Sequence, residues 1–178
     1  MQTKEFLQTV WPDTGYYCIL GKDQKNIVTP KFISSIDEAM DVATKFLDDK
    51  QDVYFACSSW IENTERKAVN AKEQRIFWLD IDCGEGKPYA TQGEGLDALK
   101  AFCNAIKLPK PCVVNSGRGV HVYWPFTAEV TREQWKAAAV RLKALCAEHE
   151  FEADPARTAD VASIMRMPDT LNHKGNPP

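Results

Sequence analysis

Apolar positions along the chain change period several times, and each change predicts an element. Tyr16–Leu20 and Ile27–Ile33 flank the polar turn Gly21–Asn26 and read as two short strands. Ser35-Ile36-Asp37-Glu38 has the spacing of a capping box. Ile36, Met40, Ala43 and Leu47 then recur at helical intervals, predicting a helix to about Asp49. Asp52–Ser59, with Val53, Tyr54 and Phe55, predicts a strand, and the charged, aperiodic stretch Glu62–Gln74 a loop. Arg75–Asp82 predicts a strand, Gly84–Gly95 a glycine-rich turn, and Leu96–Ile106 a helix stopped before Pro109. Pro111–Asn115 and Gly119–Phe126 predict strands joined through Ser116-Gly117-Arg118. Thr131, spaced from Gln134 as a second capping box, opens a long helix to about Glu150. Phe151–Asp154 predicts a short strand and Asp160–Arg166 a short helix ended by Pro168; Leu171–Pro178 is polar. Helices and hairpins mixed in this way predict an α+β fold with largely antiparallel sheets.

Size and composition set outer bounds on this picture. A chain of 178 residues with 44% hydrophobic positions suits one compact domain with a core that needs no disulfides. No apolar run approaches the ~20 residues of a membrane span, and Met1–Glu5 has no signal-peptide apolar region, so a cytoplasmic protein is expected. None of the six cysteines forms a C-x-x-C pair, so no zinc site is predicted and the thiols read as reduced core residues. The net charge of −3 and isoelectric point near 5.7 argue against a dedicated nucleic-acid-binding domain, which is usually basic. They leave room for an enzyme that grips a strand weakly and concentrates negative charge at a metal site.

The chemistry concentrates in three segments. Phe77-Trp78-Leu79-Asp80-Ile81-Asp82 is an apolar strand ending in two carboxylates. Side chains alternate along a strand, so Asp80 and Asp82 share a face with Trp78. Like charges so close repel, and a divalent cation with a preference for oxygen ligands relieves the repulsion; the competing reading is a solvated strand end. The second segment, Val113–Trp124, contains Ser116-Gly117-Arg118-Gly119-Val120-His121. Its two glycines predict a backbone nest for an anion, with Ser116, Arg118 and His121 adding donors; alone it reads equally as an ordinary hairpin. In the third, Asp154 precedes Pro155, and Arg166-Met167-Pro168-Asp169-Thr170-Leu171-Asn172-His173-Lys174 follows, offering Arg166, Asn172, His173 and Lys174 to a triphosphate. Taken singly, these are a turn aspartate and surface charge.

In this order the three segments resemble the archaeo-eukaryotic primase superfamily, in its phage- and plasmid-borne primase-polymerase branch. The resemblance rests on Asp80-x-Asp82, on Ser116-Gly117-x-Gly119-x-His121, and on Asp154 followed by Arg166-x-Pro168-x-Thr170-x-Asn172-x-Lys174, and it covers about Asp52 to Lys174. Asp169 stands where that family usually has glycine; aspartate tolerates positive φ better than most residues. Asp160 competes with Asp154 as third carboxylate, and Asp154 is preferred because it follows an apolar, strand-like dipeptide.

The resemblance implies an N-terminal α/β module (1–74) packed on a catalytic sheet like that of an RNA-recognition motif (75–178), within a longer protein. It implies Asp80, Asp82 and Asp154 as catalytic ligands of two Mg²⁺ or Mn²⁺ ions. Ser116, Gly117, Arg118, Gly119, His121, Arg166, Asn172 and Lys174 would bind an NTP or dNTP. Single-stranded DNA is the expected template, weakly assigned to Arg66 and Lys67 with Trp60 as a base-stacking candidate. A fused or associated helicase is the expected partner, and a phage or plasmid protein would work in its host's cytoplasm. Two rival activities use the same features: a metal-dependent nuclease, which needs no triphosphate clamp, and a non-catalytic single-strand-binding module, which needs exposed sheet aromatics.

Overall fold

A computed structural model describes residues 2–173. The chain runs α1 (Thr3–Val10), β1 (Tyr17–Lys22), β2 (Val28–Ile33), α2 (Ile36–Asp48), β3 (Asp52–Ala56), a 3₁₀ turn (Ala68–Asn70), β4 (Glu73–Ile81), α3 (Gln92–Ile106), β5 (Cys112–Asn115), β6 (Val120–Thr131), α4 (Arg132–Glu148) and β7 (Ile164–Arg166). The strands form two antiparallel sheets, ordered β2-β1-β3-β7 and β4-β6-β5. The architecture is the α+β one expected. Residues 1–74 supply three strands of the first sheet, and β7 returns from the far end of the chain as its fourth.

The caps expected from sequence do their work: Ser35 accepts from the Glu38 N–H at α2, and Thr131 and Gln134 close a reciprocal box at α4. α3 starts earlier than the glycine-rich stretch suggests, because Thr91 caps it through the Glu94 N–H. α1 has no counterpart in the expected elements. Phe6, Leu7 and Val10 lie on one helical face and are buried, with the Phe6 ring edge-on to Phe55 and Tyr123.

Two expected elements differ. Phe151–Asp154 forms no strand: one hydrogen bond reaches β4, and Pro155 has no N–H to continue a ladder. Asp160–Arg166 is not a helix. It turns through Asp160 and becomes β7, because pairing Ile164–Arg166 with β3 satisfies that strand's open edge and buries Met165 and Met167. The stretch 62–74 is ordered by Asn70, whose side chain bonds the Glu62 and Glu65 carbonyls and the Glu62 N–H.

The alternation of β4 separates two cores. Ile76 and Trp78 join Tyr123, Trp135, α1, α2 and the first sheet; Leu79 and Ile81 join Val122 and Trp124 against α3 and α4. The β4–β6–β5 sheet is thus supported on both faces, and the functional cleft opens where it meets the first sheet. No helix among the described residues is long and apolar enough to cross a membrane.

Candidate active site

Strand β4 is an edge strand, and the way its open edge is satisfied builds the site. On one side it pairs with β6, placing Asp80 opposite His121. On the other, its Ile76 carbonyl accepts from the Trp135 indole at 2.8 Å and its Asp80 carbonyl from the Asp154 N–H at 2.8 Å, while the Trp78 indole donates to the Arg157 carbonyl at 2.9 Å. The chain after α4 is thereby drawn along β4 and sets Asp154 beside Asp80. Asp160 lies elsewhere, its carboxylate accepting from the Ala162 N–H.

Asp80, Asp82 and Asp154 line one cleft of about 810 Å³ with Ser116, Arg118, Gly119, His121, Arg157, Arg166 and Asn172; Tyr54, Cys83, Gly84, Glu85 and Lys87 complete its walls. Asp80 is the most enclosed of the three carboxylates, its side chain 18% exposed against 32% for Asp154 and 52% for Asp82. Burial pushes the Asp80 carboxyl up to about 6; Arg157 opposes this, and Asp82 and Asp154 add to it. Two cations face the carboxylates. Arg157 Nε lies 3.4 Å from both Asp80 Oδ2 and Asp154 Oδ2, and Lys87 Nζ lies 2.7 Å from Asp82 Oδ2.

His121 is buried, with Nδ1 3.3 Å from the Tyr123 hydroxyl and Nε2 3.7 Å from Asp80 Oδ1. Burial, reinforced by Arg166 and Arg157, lowers its pKa to about 3, so the ring is neutral at pH 7. In the tautomer where the phenol donates to Nδ1, the proton sits on Nε2, the ring nitrogen that faces Asp80.

The glycine hairpin differs from the expected nest. The Gly117 N–H donates to Asn115 Oδ1 and the Gly119 N–H to Ser116 Oγ, so neither is presented to an anion. The glycines are there for packing. Gly117 has φ +96°, and a Cβ on Gly119 would lie 2.2 Å from the Ile81 carbonyl oxygen. Gln92 of α3 pins the hairpin by donating to Asn115 Oδ1 at 2.9 Å and the Gly119 carbonyl at 3.1 Å. The groups offered to a ligand are side chains: the half-buried Ser116, the exposed Arg118 and His121.

Arg166 also differs from a free clamp. It is 7% exposed and pairs with buried Asp52, NH1 to Oδ1 at 3.1 Å. It also donates to the Leu171 carbonyl, the Tyr54 hydroxyl and Asn172 Oδ1, and stacks over the Tyr54 ring. Burial raises the Asp52 pKa, but Arg166 and His173 outweigh it, and the net direction is down. Asn172 Nδ2 donates to the Ser116 carbonyl, tying this braced wall to the hairpin. His173 turns away from the cleft, its N–H and Nδ1 both on Asp52 Oδ1. Asp169 takes the positive φ, +58°, and its carboxylate accepts from the Thr3 hydroxyl at 2.7 Å. Lys174 lies outside the described residues.

The weakly assigned template residues are not in the cleft: Arg66 donates to the Ala162 carbonyl and Lys67 pairs with Glu65. Trp60 is fully buried with Phe32 edge-on to it and cannot stack on a base. Sequence reasoning missed Arg157, Lys87 and Gln92. Arg157 had one available signal, its i+3 spacing from Asp154 across the turn that Pro155 starts.

No protein-family model matches the chain, and no curated protein does. Solved structures do. The AEP domain of the cyanophage S-2L primase-polymerase matches with a TM-score of 0.60 and 14% identity over 86% of this chain and 72% of that one. Primase RepB′ matches at 0.57 and 18% over 97% of this chain, which spans 52% of that protein. The polymerase domain of Mycobacterium tuberculosis ligase D, solved in complex with DNA, matches at 0.55 and 14% over 89% of this chain and 69% of that one. The fold is that of the archaeo-eukaryotic primase domains, as the three sequence motifs led us to expect.

Proposed function

We propose that this chain is a template-dependent nucleotidyltransferase, a DNA primase or polymerase that makes or extends primers on single-stranded DNA from nucleoside triphosphates. One observation carries the reading. In a primase fold, Asp80, Asp82 and Asp154 converge on a single cleft with Ser116, Arg118 and His121, and its volume suits a nucleotide. The donor set fits two Mg²⁺ or Mn²⁺ ions: three carboxylates supply the hard oxygens these ions prefer, and buried Asp80 needs a nearby cation to ionise fully. Bound there, such ions would activate the attacking 3′-hydroxyl and neutralise the departing pyrophosphate.

The chain's own share is positioning and electrostatics. Neutral His121 offers Nε2–H as a hydrogen-bond donor to a phosphate oxygen. Ser116 and Arg118 sit beside it on the hairpin, and the Arg166–Asp52 pair keeps the opposite wall fixed. Pairing of Asp80 with His121 across the β4–β6 ladder sets the distance between carboxylates and phosphate donors.

The test is incubation with Mn²⁺, labelled nucleotides and a single-stranded DNA template, reading products on a gel. Template-dependent products that vanish in the Asp80→Ala, Asp82→Ala double variant are expected. Strand cleavage as the sole activity, or synthesis by the double variant at the wild-type rate, would replace this reading.

A further inference from the structure

The least expected group in the cleft is Arg157. Its backbone is firmly held: the N–H donates to the Asp154 carbonyl, and the carbonyl accepts from the Trp78 indole at 2.9 Å and the Ser163 hydroxyl at 3.1 Å. Its side chain is much less committed, being 40% exposed. NH1 donates to the Ile164 carbonyl at 3.1 Å, and Nε stands equidistant, at 3.4 Å, from Asp80 Oδ2 and Asp154 Oδ2. That is the place between two carboxylates where a shared cation belongs.

A guanidinium and a divalent ion make incompatible demands on such a place. Carboxylate oxygens bind Mg²⁺ at about 2.0–2.1 Å, much closer than the 3.4 Å at which either oxygen stands from Nε, so ion and guanidinium cannot share the place. Among the described residues no three acidic, histidine or cysteine side chains are gathered tightly enough to hold a metal as they stand. Arg157 stands between Asp80 and Asp154 and offsets their mutual repulsion. The side chain is partly exposed and lines the same cleft as Ser116, Arg118 and His121, so it can turn from the carboxylates to an anion placed there.

Resting on the nucleotidyltransferase reading above, we infer that Arg157 is an exchangeable counter-ion: it neutralises Asp80 and Asp154 before metal binds, yields them to the metal, and then turns to a phosphate oxygen of the incoming nucleotide. It is a positioning residue whose charge is used twice. The exchange holds the empty site together without a permanent metal and makes nucleotide and metal binding mutually supportive, since the triphosphate rewards the arginine for leaving the carboxylates.

The experiment uses the whole chain without nucleotide, titrating Mn²⁺ and following the free ion by electron paramagnetic resonance. Arg157→Gln is expected to bind Mn²⁺ roughly three- to tenfold more tightly than wild type, the effect of removing two half-exposed competing ion pairs. Its metal-free form is expected to melt at a lower temperature, and in the presence of Mn²⁺ it should bind a non-hydrolysable nucleoside triphosphate about tenfold more weakly. Arg157→Lys keeps the charge and stays near wild type in metal affinity. A merely structural arginine would give the opposite sign, weaker metal binding on removal, and that result or an unchanged Mn²⁺ affinity overturns the exchange. Should Arg157→Gln fail to fold, the arginine Nε–H resonance that disappears in Arg157→Lys decides the matter in wild-type protein: it is expected to move on Mg²⁺ addition, and its indifference overturns the inference. Wild-type protein that binds no Mn²⁺ at its carboxylates, behaving as Asp80→Asn does, brings down the nucleotidyltransferase reading and the exchange with it.

Discussion

Asp80 and His121 face each other across the β4–β6 ladder, both largely buried, and burial acts on them with opposite sign. The Asp80 carboxyl is raised from 3.8 to about 6, so between those values the folded protein holds a proton that the unfolded chain releases. Stability from this group is full in acid and is lost as pH rises through about 4 to 6. The His121 ring is lowered from 6.5 to about 3, so over that span the unfolded chain holds the extra proton, and stability from this group is lost as pH falls. The two slopes oppose one another in mildly acidic solution. Asp80→Asn removes the first alone. The metal-free variant is expected to be more stable than wild type at pH 8, by up to about 3 kcal/mol, and its stability should climb more steeply between pH 4 and 6. Chemical denaturation at a series of pH values checks both statements, and a wild-type profile parallel to that of Asp80→Asn refutes them. His121→Gln, which keeps a neutral donor, should retain more triphosphate affinity than His121→Ala. For the alanine variant a loss of roughly ten- to hundredfold is expected in a nucleotide titration, the worth of a hydrogen bond to a charged group.

At the scale of elements, the legible parts of the site were those carried by regular strands. Period-two alternation put Asp80 beside Trp78 on one face of β4, and the glycines marked the β5–β6 turn. What could not be read was how that turn uses its glycines. Gly119 is required by the approach of the Ile81 carbonyl, a contact between residues far apart in sequence, and no local rule anticipates it. Gly119→Ala should therefore force β6 away from β4, with a loss of at least about 2 kcal/mol visible as a lowered melting temperature and as weakened nucleotide binding together. β7 was unreadable for a related reason. Three residues have no usable period, and Ile164–Arg166 become a strand only because β3 offers them an unpaired edge. Arg157 escaped notice because its partners meet it through the edge of β4. The i+3 spacing from Asp154 hints at one partner, and only the Asp154-to-Asp80 backbone bond reveals the other.

At the scale of the molecule, the cleft lies where two sheets from different parts of the chain meet, and this divides its cations into two kinds. Arg166 belongs to the frame. With Asp52 it forms a buried pair, 7% and 6% exposed at the side chains, that anchors β7, β3 and the segment through Asn172. Removing the arginine leaves an unpaired buried carboxylate and is expected to cost about 3–5 kcal/mol, so loss of synthesis in Arg166→Ala would report a damaged frame and would say little about nucleotide contact. Arg118 and Lys87 are exposed on the rim, Lys87 paired there with Asp82. On the nucleotidyltransferase reading they are the residues whose removal separates a polymerase from a nuclease using the same carboxylates. A nucleoside triphosphate brings several negative charges beyond those a metal pair can satisfy, whereas a cleavage substrate places one phosphate at the carboxylates. The Lys87→Ala, Arg118→Ala double variant is therefore expected to raise the Michaelis constant for nucleotide roughly ten- to hundredfold, the range for one or two charge-assisted contacts. Steady-state kinetics of primer extension measure this directly. Unchanged extension kinetics would remove both cations from nucleotide binding, and a cleavage activity that fell in their place would show that the cleft is built for a strand and not for a triphosphate.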